Sequence, residues 1–130
     1  MEPRPVILLD TNYLIQALVE GSAEAEKVFL WSQHEGGDLV TSSVAWYEFL
    51  CGPVDREGVE IVQLLLDGRI IPYTADQAVE SARLFNAVGR ARHLRIDAMI
   101  AAAAIVANAR LATGNTEDFR AFEPFGLRLV

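Results

Sequence analysis

With 130 residues, 52% hydrophobic and 22% charged, the chain has the makeup of an ordinary globular protein. At that length roughly two-thirds of the unfolded surface can be buried, which excludes disordered and fibrous classes and predicts one compact domain over residues 1–130. Cys51 is the only cysteine, so an intramolecular disulfide and a cysteine-based zinc cage are excluded, and a net charge of −7 weighs against a purely electrostatic grip on nucleic acid.

The first apolar run, Val6 to Leu9, stops at Asp10, Thr11 and Asn12, which are cap and turn formers; this reads as a strand followed by a helix. Ser22 to Glu35 has helical spacing. Asp38 to Thr41 is a second short strand, giving way to Ser42, Ser43 and the helical stretch VAWYEFLC, closed by Gly52 and Pro53. A helix from Asp55 to Leu66 follows, then Gly68 and a strand from Arg69 to Tyr73. Thr74 caps a long helix in which Ala78, Ala82, Phe85 and Val88 recur on one face. Asp97 to Asn108 is almost wholly apolar, with alanines at 101–104, as suits a helix packed on most sides. It leads into a strand from Ala109 to Thr113, and Leu127 to Val130 supplies a last one.

Strands alternating with helices predict a parallel sheet covered on both faces, an α/β/α three-layer sandwich of about five strands. The apolar tract Ala98 to Ala107 is far short of the ~20 residues that span a bilayer, and the N-terminus has no secretory-type apolar segment. A soluble protein in the reducing cytoplasm, with no membrane partner, is expected.

In sheets of this kind ligands bind beyond the carboxyl ends of the strands, where strand order reverses. Asp10 ends the first strand, Glu48 lies early in the helix after the second, and Asp118 lies in the loop after Thr113. Asp97 opens a helix that runs antiparallel to the strand after it, which puts its N-terminus at the same edge. Taken singly, each acid has an ordinary reading: Asp10 as a helix cap, Glu48 as a solvated helix residue, Asp97 as a favourable charge at a helix N-terminus, Asp118 as a loop acid. Their joint placement favours a site. One like-charge pair ~4 Å apart costs about 4 kcal/mol at an effective dielectric of ~20, so either protons or divalent cations must compensate. All-oxygen ligation suits Mg²⁺ or Mn²⁺, which would also reverse the local field for a polyanionic substrate.

Four segments, LLDTNYLI at 8–15, YEFLCG at 47–52, RIDAMIAAAA at 95–104 and TGNTEDF at 113–119, resemble those of the PIN-domain nucleases, and among them the VapC-type toxins of toxin-antitoxin pairs. The resemblance runs in the family's order over nearly the whole chain. It implies a single PIN-like domain, Mg²⁺ or Mn²⁺ held by Asp10, Glu48, Asp97 and Asp118, and endonucleolytic cleavage of RNA by a metal-activated water. Thr11, Thr113 and Asn115 match the family's polar positions, which orient a carboxylate or a metal-bound water; ordinary turn and cap chemistry is the alternative for them. Gly114 departs from relatives with a larger polar or basic residue there, and Glu117 competes with Asp118 as the outer ligand. The resemblance also implies an antitoxin partner and a homodimer.

Arg90, Arg92 and Arg95 bracket His93 in the one concentrated basic tract, placed to hold an RNA backbone beside the metal or to lie as a solvated loop. His34 and His93 lack the spacing of a zinc site or a catalytic triad. Trp31, Trp46, Tyr47 and Phe49 fall on early helices as core residues or as the lining of a groove for a partner's amphipathic helix. Three alternatives stand: a toxin nuclease, a PIN nuclease outside a toxin pair, and an inactive PIN-fold binding module.

Overall fold

The structure, a computed structural model, describes residues 5–33 and 38–130. Its sheet has four parallel strands, β1 (Val6–Leu9), β2 (Asp38–Ser42), β3 (Ile70–Ile71) and β4 (Arg110–Ala112), in the order β3-β2-β1-β4. β1 is central, with Ile7 opposite Leu39 on one side and Arg110 on the other. Its residues Leu8 and Leu9 are fully buried, as expected of a strand with both faces covered. Order reverses between β1 and β4, which makes that crevice the switch point.

The helices are α1 (Thr11–Gln16), α2 (Ala23–Gln33), α3 (Ser43–Cys51), α4 (Arg56–Leu66), α5 (Ala75–Ala87), α6 (Arg95–Val106) and α7 (Thr116–Phe119). Side-chain caps start several of them: Ser42 accepts from Ala45 N, Asp55 from Gly58 N and Thr74 from Gln77 N. Ala101 to Ala104 are all fully buried, so along this stretch α6 presents only methyl groups to its neighbours, with Ile100 as the large buried side chain before it. The core gathers Leu14, Phe49, Leu111, Phe119 and Phe122 around the sheet. None of the described helices is long and apolar enough to cross a membrane.

Several boundaries differ from those read in the sequence. The predicted strand Arg69–Tyr73 shrinks to two residues, because Pro72 has no N–H to give to a ladder and Tyr73 N donates to Ser43 Oγ instead. Leu127–Val130 forms no full strand but a single bridge, Leu129 to Leu111, flanked by Leu111 N donating to Arg128 O and Val130 N to Leu111 O. Among the described residues the sheet therefore has four strands and one bridge where about five strands were expected. α2 is described as far as Gln33, and the predicted continuation through His34 and Glu35 lies outside the described residues.

The face assigned to α5 is also turned by one residue. Gln77, Ser81 and Leu84 are the buried positions, whereas Ala78 and Ala82 line an open cleft toward α6. Burial of Ser81 is possible because its Oγ donates to the Gln77 backbone O and accepts from the Tyr73 hydroxyl, whereas Gln77 Oε1 is buried without a partner among the described residues. α6 begins at Arg95 rather than Asp97, after a 3₁₀ turn at Arg92–Leu94, which moves Asp97 into its first turn.

Candidate active site

Asp10 stands at the end of β1, 6% exposed, with both carboxylate oxygens engaged. Oδ1 accepts from Thr11 N at 2.8 Å, and Oδ2 accepts from the Thr113 hydroxyl at 2.8 Å, across the β1/β4 crevice. Thr113 Oγ1 in turn accepts from Asn115 N at 3.0 Å, while Asn115 Nδ2 donates to Asp118 Oδ2 at 2.9 Å. On the other side the Thr11 hydroxyl donates to Glu48 Oε1 at 2.8 Å, tying α1 to α3. Two threonines and one asparagine thus hold three of the four acids.

Asp97 faces the same space from α6. Burial pushes its carboxyl from the ordinary 3.8 up to about 6, and the charges of Asp10, Asp118 and Glu48 push in the same direction, with His93 opposing. A carboxyl that feels three others marks where the four segments converge. Burial also raises Asp10, and the charge of Glu48 adds to it, against the hydrogen bonds from Thr113 and Thr11 N.

Two residues of the cluster were not singled out by the sequence. His93 Nε2 lies 3.9 Å from Asp118 Oδ1, a contact its place in the basic tract, just before α6, could have signalled. Asn12, two residues after Asp10, accepts from Gly114 N at 3.1 Å and braces the turn that carries Asn115 and Asp118. A Cβ built on Gly114 would stand 3.0 Å from Asn12 Nδ2, so the departure at this position has a packing reason. Of the two competing outer acids, Asp118 is the half-buried one turned to the cluster, and it sits in α7 rather than in a loop; Glu117 is exposed.

The basic tract is not drawn into this cluster as a unit. Arg90, in a left-handed turn at φ 57°, donates to Asn86 Oδ1; Arg92 is in the 3₁₀ turn; Arg95 lies over the Phe85 ring, 6.0 Å from its centroid. The early aromatics are mostly packed inward: Trp31 stacks on Tyr13 and Trp46 tilts against the buried Phe49, leaving Tyr47 exposed. His34 lies outside the described residues.

The donor set is four carboxylates, hard oxygen ligands whose mutual repulsion is visible in Asp97, and it fits a hard divalent cation in both kind and charge. In the side-chain positions present, no three His, Cys, Asp or Glu groups among the described residues stand close enough to share one ion. Thr11 and Thr113 keep Glu48 and Asp10 turned onto hydroxyls.

The structure is similar to a chain in the crystal structure of VapBC2 from Rickettsia felis bound to a DNA fragment from their promoter, with a TM-score of 0.70 and 24% identity over 96% of this chain and 97% of that one. It is likewise similar to FitAcB from Neisseria gonorrhoeae, with a TM-score of 0.70 and 22% identity over 95% of both chains. A toxin-antitoxin complex from Klebsiella pneumoniae matches with a TM-score of 0.68 and 26% identity over 87% of this chain and 89% of that one. Comparison with curated protein sequences gives no match. The PIN domain family model matches residues 7–123, nearly the whole length that carries the sheet and the acids, and the chain belongs to the PIN domain family.

Proposed function

We propose that the chain is a divalent-metal-dependent endoribonuclease acting as the toxin of a toxin-antitoxin pair in the cytoplasm. The observation that carries the nuclease reading is the convergence of Asp10, Glu48, Asp97 and Asp118 on the carboxyl edge of the sheet, at the point where strand order reverses. PIN domains are generally nucleases that use a divalent cation, and these four residues are the ones that would hold Mg²⁺ or Mn²⁺. When bound, the cation supplies activation of water and stabilisation of charge on the phosphodiester.

The chain's own groups prepare that site. Thr113 and Thr11 N hold Asp10, the Thr11 hydroxyl holds Glu48, and Asn115 holds Asp118, which keeps three carboxylates at the carboxyl edge; to share one ion the side chains would turn from these partners. Without a cation, burial and the charges of the other three acids favour the protonated form of Asp97. Arg90, Arg92 and Arg95 supply exposed cations for the RNA backbone and offset the acidic total.

The antitoxin part of the reading is supported by the toxin-antitoxin complexes among the similar structures and by an apolar groove of about 480 Å³ between α2 and α4. Val28 and Val62 form its floor, and Phe29, Ile61 and Leu64 line it, with Phe29 62% and Leu64 81% exposed. These aliphatic and phenyl groups, rather than the early tryptophans, suit an amphipathic partner helix. A homodimer belongs to the same reading.

Purified protein freed of partner should cut RNA in Mg²⁺ or Mn²⁺ and stop on chelation. Cutting that persists in chelator would overturn the metal mechanism; RNA left intact under every metal would overturn the ribonuclease.

A further inference from the structure

We propose that the cleft between α5 and the start of α6 binds an unstacked RNA base that carries an exocyclic amino group, beside the bond cut at the acid cluster. The cleft, about 260 Å³, is lined by Tyr73, Ser81, Phe85 and Arg95, with Ala78 and Ala82 leaving its α5 wall open. This inference rests on the ribonuclease reading for its substrate, but its evidence is separate from the acids.

Position comes first. Arg95 and Asp97 share the first turn of α6, two residues apart, and so point to opposite sides of it. The cleft and the acids are thus separated by one helix width, about 10–12 Å, within reach of a neighbouring nucleotide on the same strand. Single-stranded RNA is read by splaying bases onto aromatic rings and arginine planes, and Arg95 over Phe85 is such a platform. Among the described residues Arg95 has no carboxylate in ion-pairing range, whereas Arg56 and Arg83 each have one and Arg69 has two.

Polarity then selects the base. Tyr73 spends its hydroxyl proton on Ser81 Oγ at 2.9 Å, and Ser81 spends its own on Gln77 O at 2.7 Å. What this pair offers a ligand is lone pairs, which an exocyclic amino group on adenine, cytosine or guanine can meet with two N–H bonds, whereas uracil has a single ring N–H flanked by two carbonyls whose own lone pairs would face the hydroxyl oxygens. Arg95 keeps its donors for a ring nitrogen, a carbonyl or the phosphate.

The test uses the full chain, without metal, in methyl NMR. Met1 and Met99 are the only methionines, and Met99 lines the cleft. AMP and CMP should shift the Met99 methyl and bind about fivefold more tightly than UMP, the worth of roughly one net hydrogen bond. Ala82→Leu, at an exposed helix position, fills the cleft; Arg95→Gln removes the charge from the platform. Each should weaken AMP binding about tenfold with an unchanged melting temperature. UMP binding as well as AMP, nucleotides leaving Met99 unmoved, or Met99 moving only on addition of a partner protein would each overturn the proposal. AMP binding in a protein that never cuts RNA would support the cleft and defeat the ribonuclease reading; cutting with no nucleotide shift would defeat the cleft alone.

Discussion

Thr113 and Asp10 stand 103 positions apart in the chain and meet at 2.8 Å, the hydroxyl of one donating to Oδ2 of the other across the crevice between β4 and β1. The same threonine oxygen accepts Asn115 N, so one side chain joins the strand end that bears the innermost acid to the turn that bears the outermost. The parallel register that sets Leu9 beside Ala112 brings these strand ends together.

Thr113→Val, at a position 7% exposed, keeps shape but leaves the buried Asp10 Oδ2 without its hydroxyl donor and Asn115 N without its acceptor. Stability in urea should fall by about 1–3 kcal/mol, with loss of cleavage, while Thr113→Ser should restore most of both. Equal behaviour of valine and serine would show that the hydroxyl has no such role.

Asp118 and Glu117 are adjacent acids, yet only Asp118 is held by Asn115 and turned to the cluster. Asp118→Asn is expected to lower metal-dependent cleavage about 10–100-fold, against little change for Glu117→Gln. Titration of cleavage rate against Mn²⁺ concentration separates the two, since a lost ligand shifts the midpoint and a solvated glutamate does not.

Gly114 and Asn12 are coupled by one hydrogen bond and by space. Gly114→Ala sets a methyl 3.0 Å from Asn12 Nδ2 and should cost about 1 kcal/mol through the displaced Gly114 N to Asn12 Oδ1 bond. In an Asn12→Ala background the same change should be nearly neutral, a coupling read by a double-mutant cycle. Strictly additive costs would deny that Asn12 is what excludes a side chain at 114.

The alternation of apolar runs with capped helices made the layer order and the carboxyl edge legible in the sequence, because strand ends such as Leu9–Asp10 and cap residues such as Ser42 and Thr74 are local signals. The acids could be assigned to that edge for the same reason. What failed was settled by partners far along the chain. The face of α5 turned because Tyr73 satisfies Ser81 from outside the helix, so a serine is buried where periodicity placed an alanine. The last strand dwindled to one bridge at Leu129, which no run of residues announces. His93 joined the cluster through the 3₁₀ turn that precedes α6, which carries it to Asp118.

The collected charges should be measurable without any nuclease assay. Asp97 in the folded chain holds its proton up to about 6, against an ordinary 3.8, so between those values the folded state binds more protons than the unfolded one. Stability must then fall as pH rises through that window, and the full penalty is present above it. Replacing the carboxyl by an uncharged amide removes that penalty, so Asp97→Asn should melt close to wild type at pH 4 and above it at pH 7, an advantage that added salt reduces because the group is half exposed. The favourable place of a negative charge in the first turn of α6 works against this gain and sets its lower bound. Asp10→Asn is not equivalent, since both Asp10 oxygens accept and an amide would face a donor; it should melt below wild type. Mg²⁺ or Mn²⁺ should raise the wild-type melting temperature by binding the folded state, and raise that of Asp97→Asn less. If Asp97→Asn instead melts below wild type at both pH values and the cation shifts the two proteins equally, Asp97 is a helix-end charge and the four acids do not form one site.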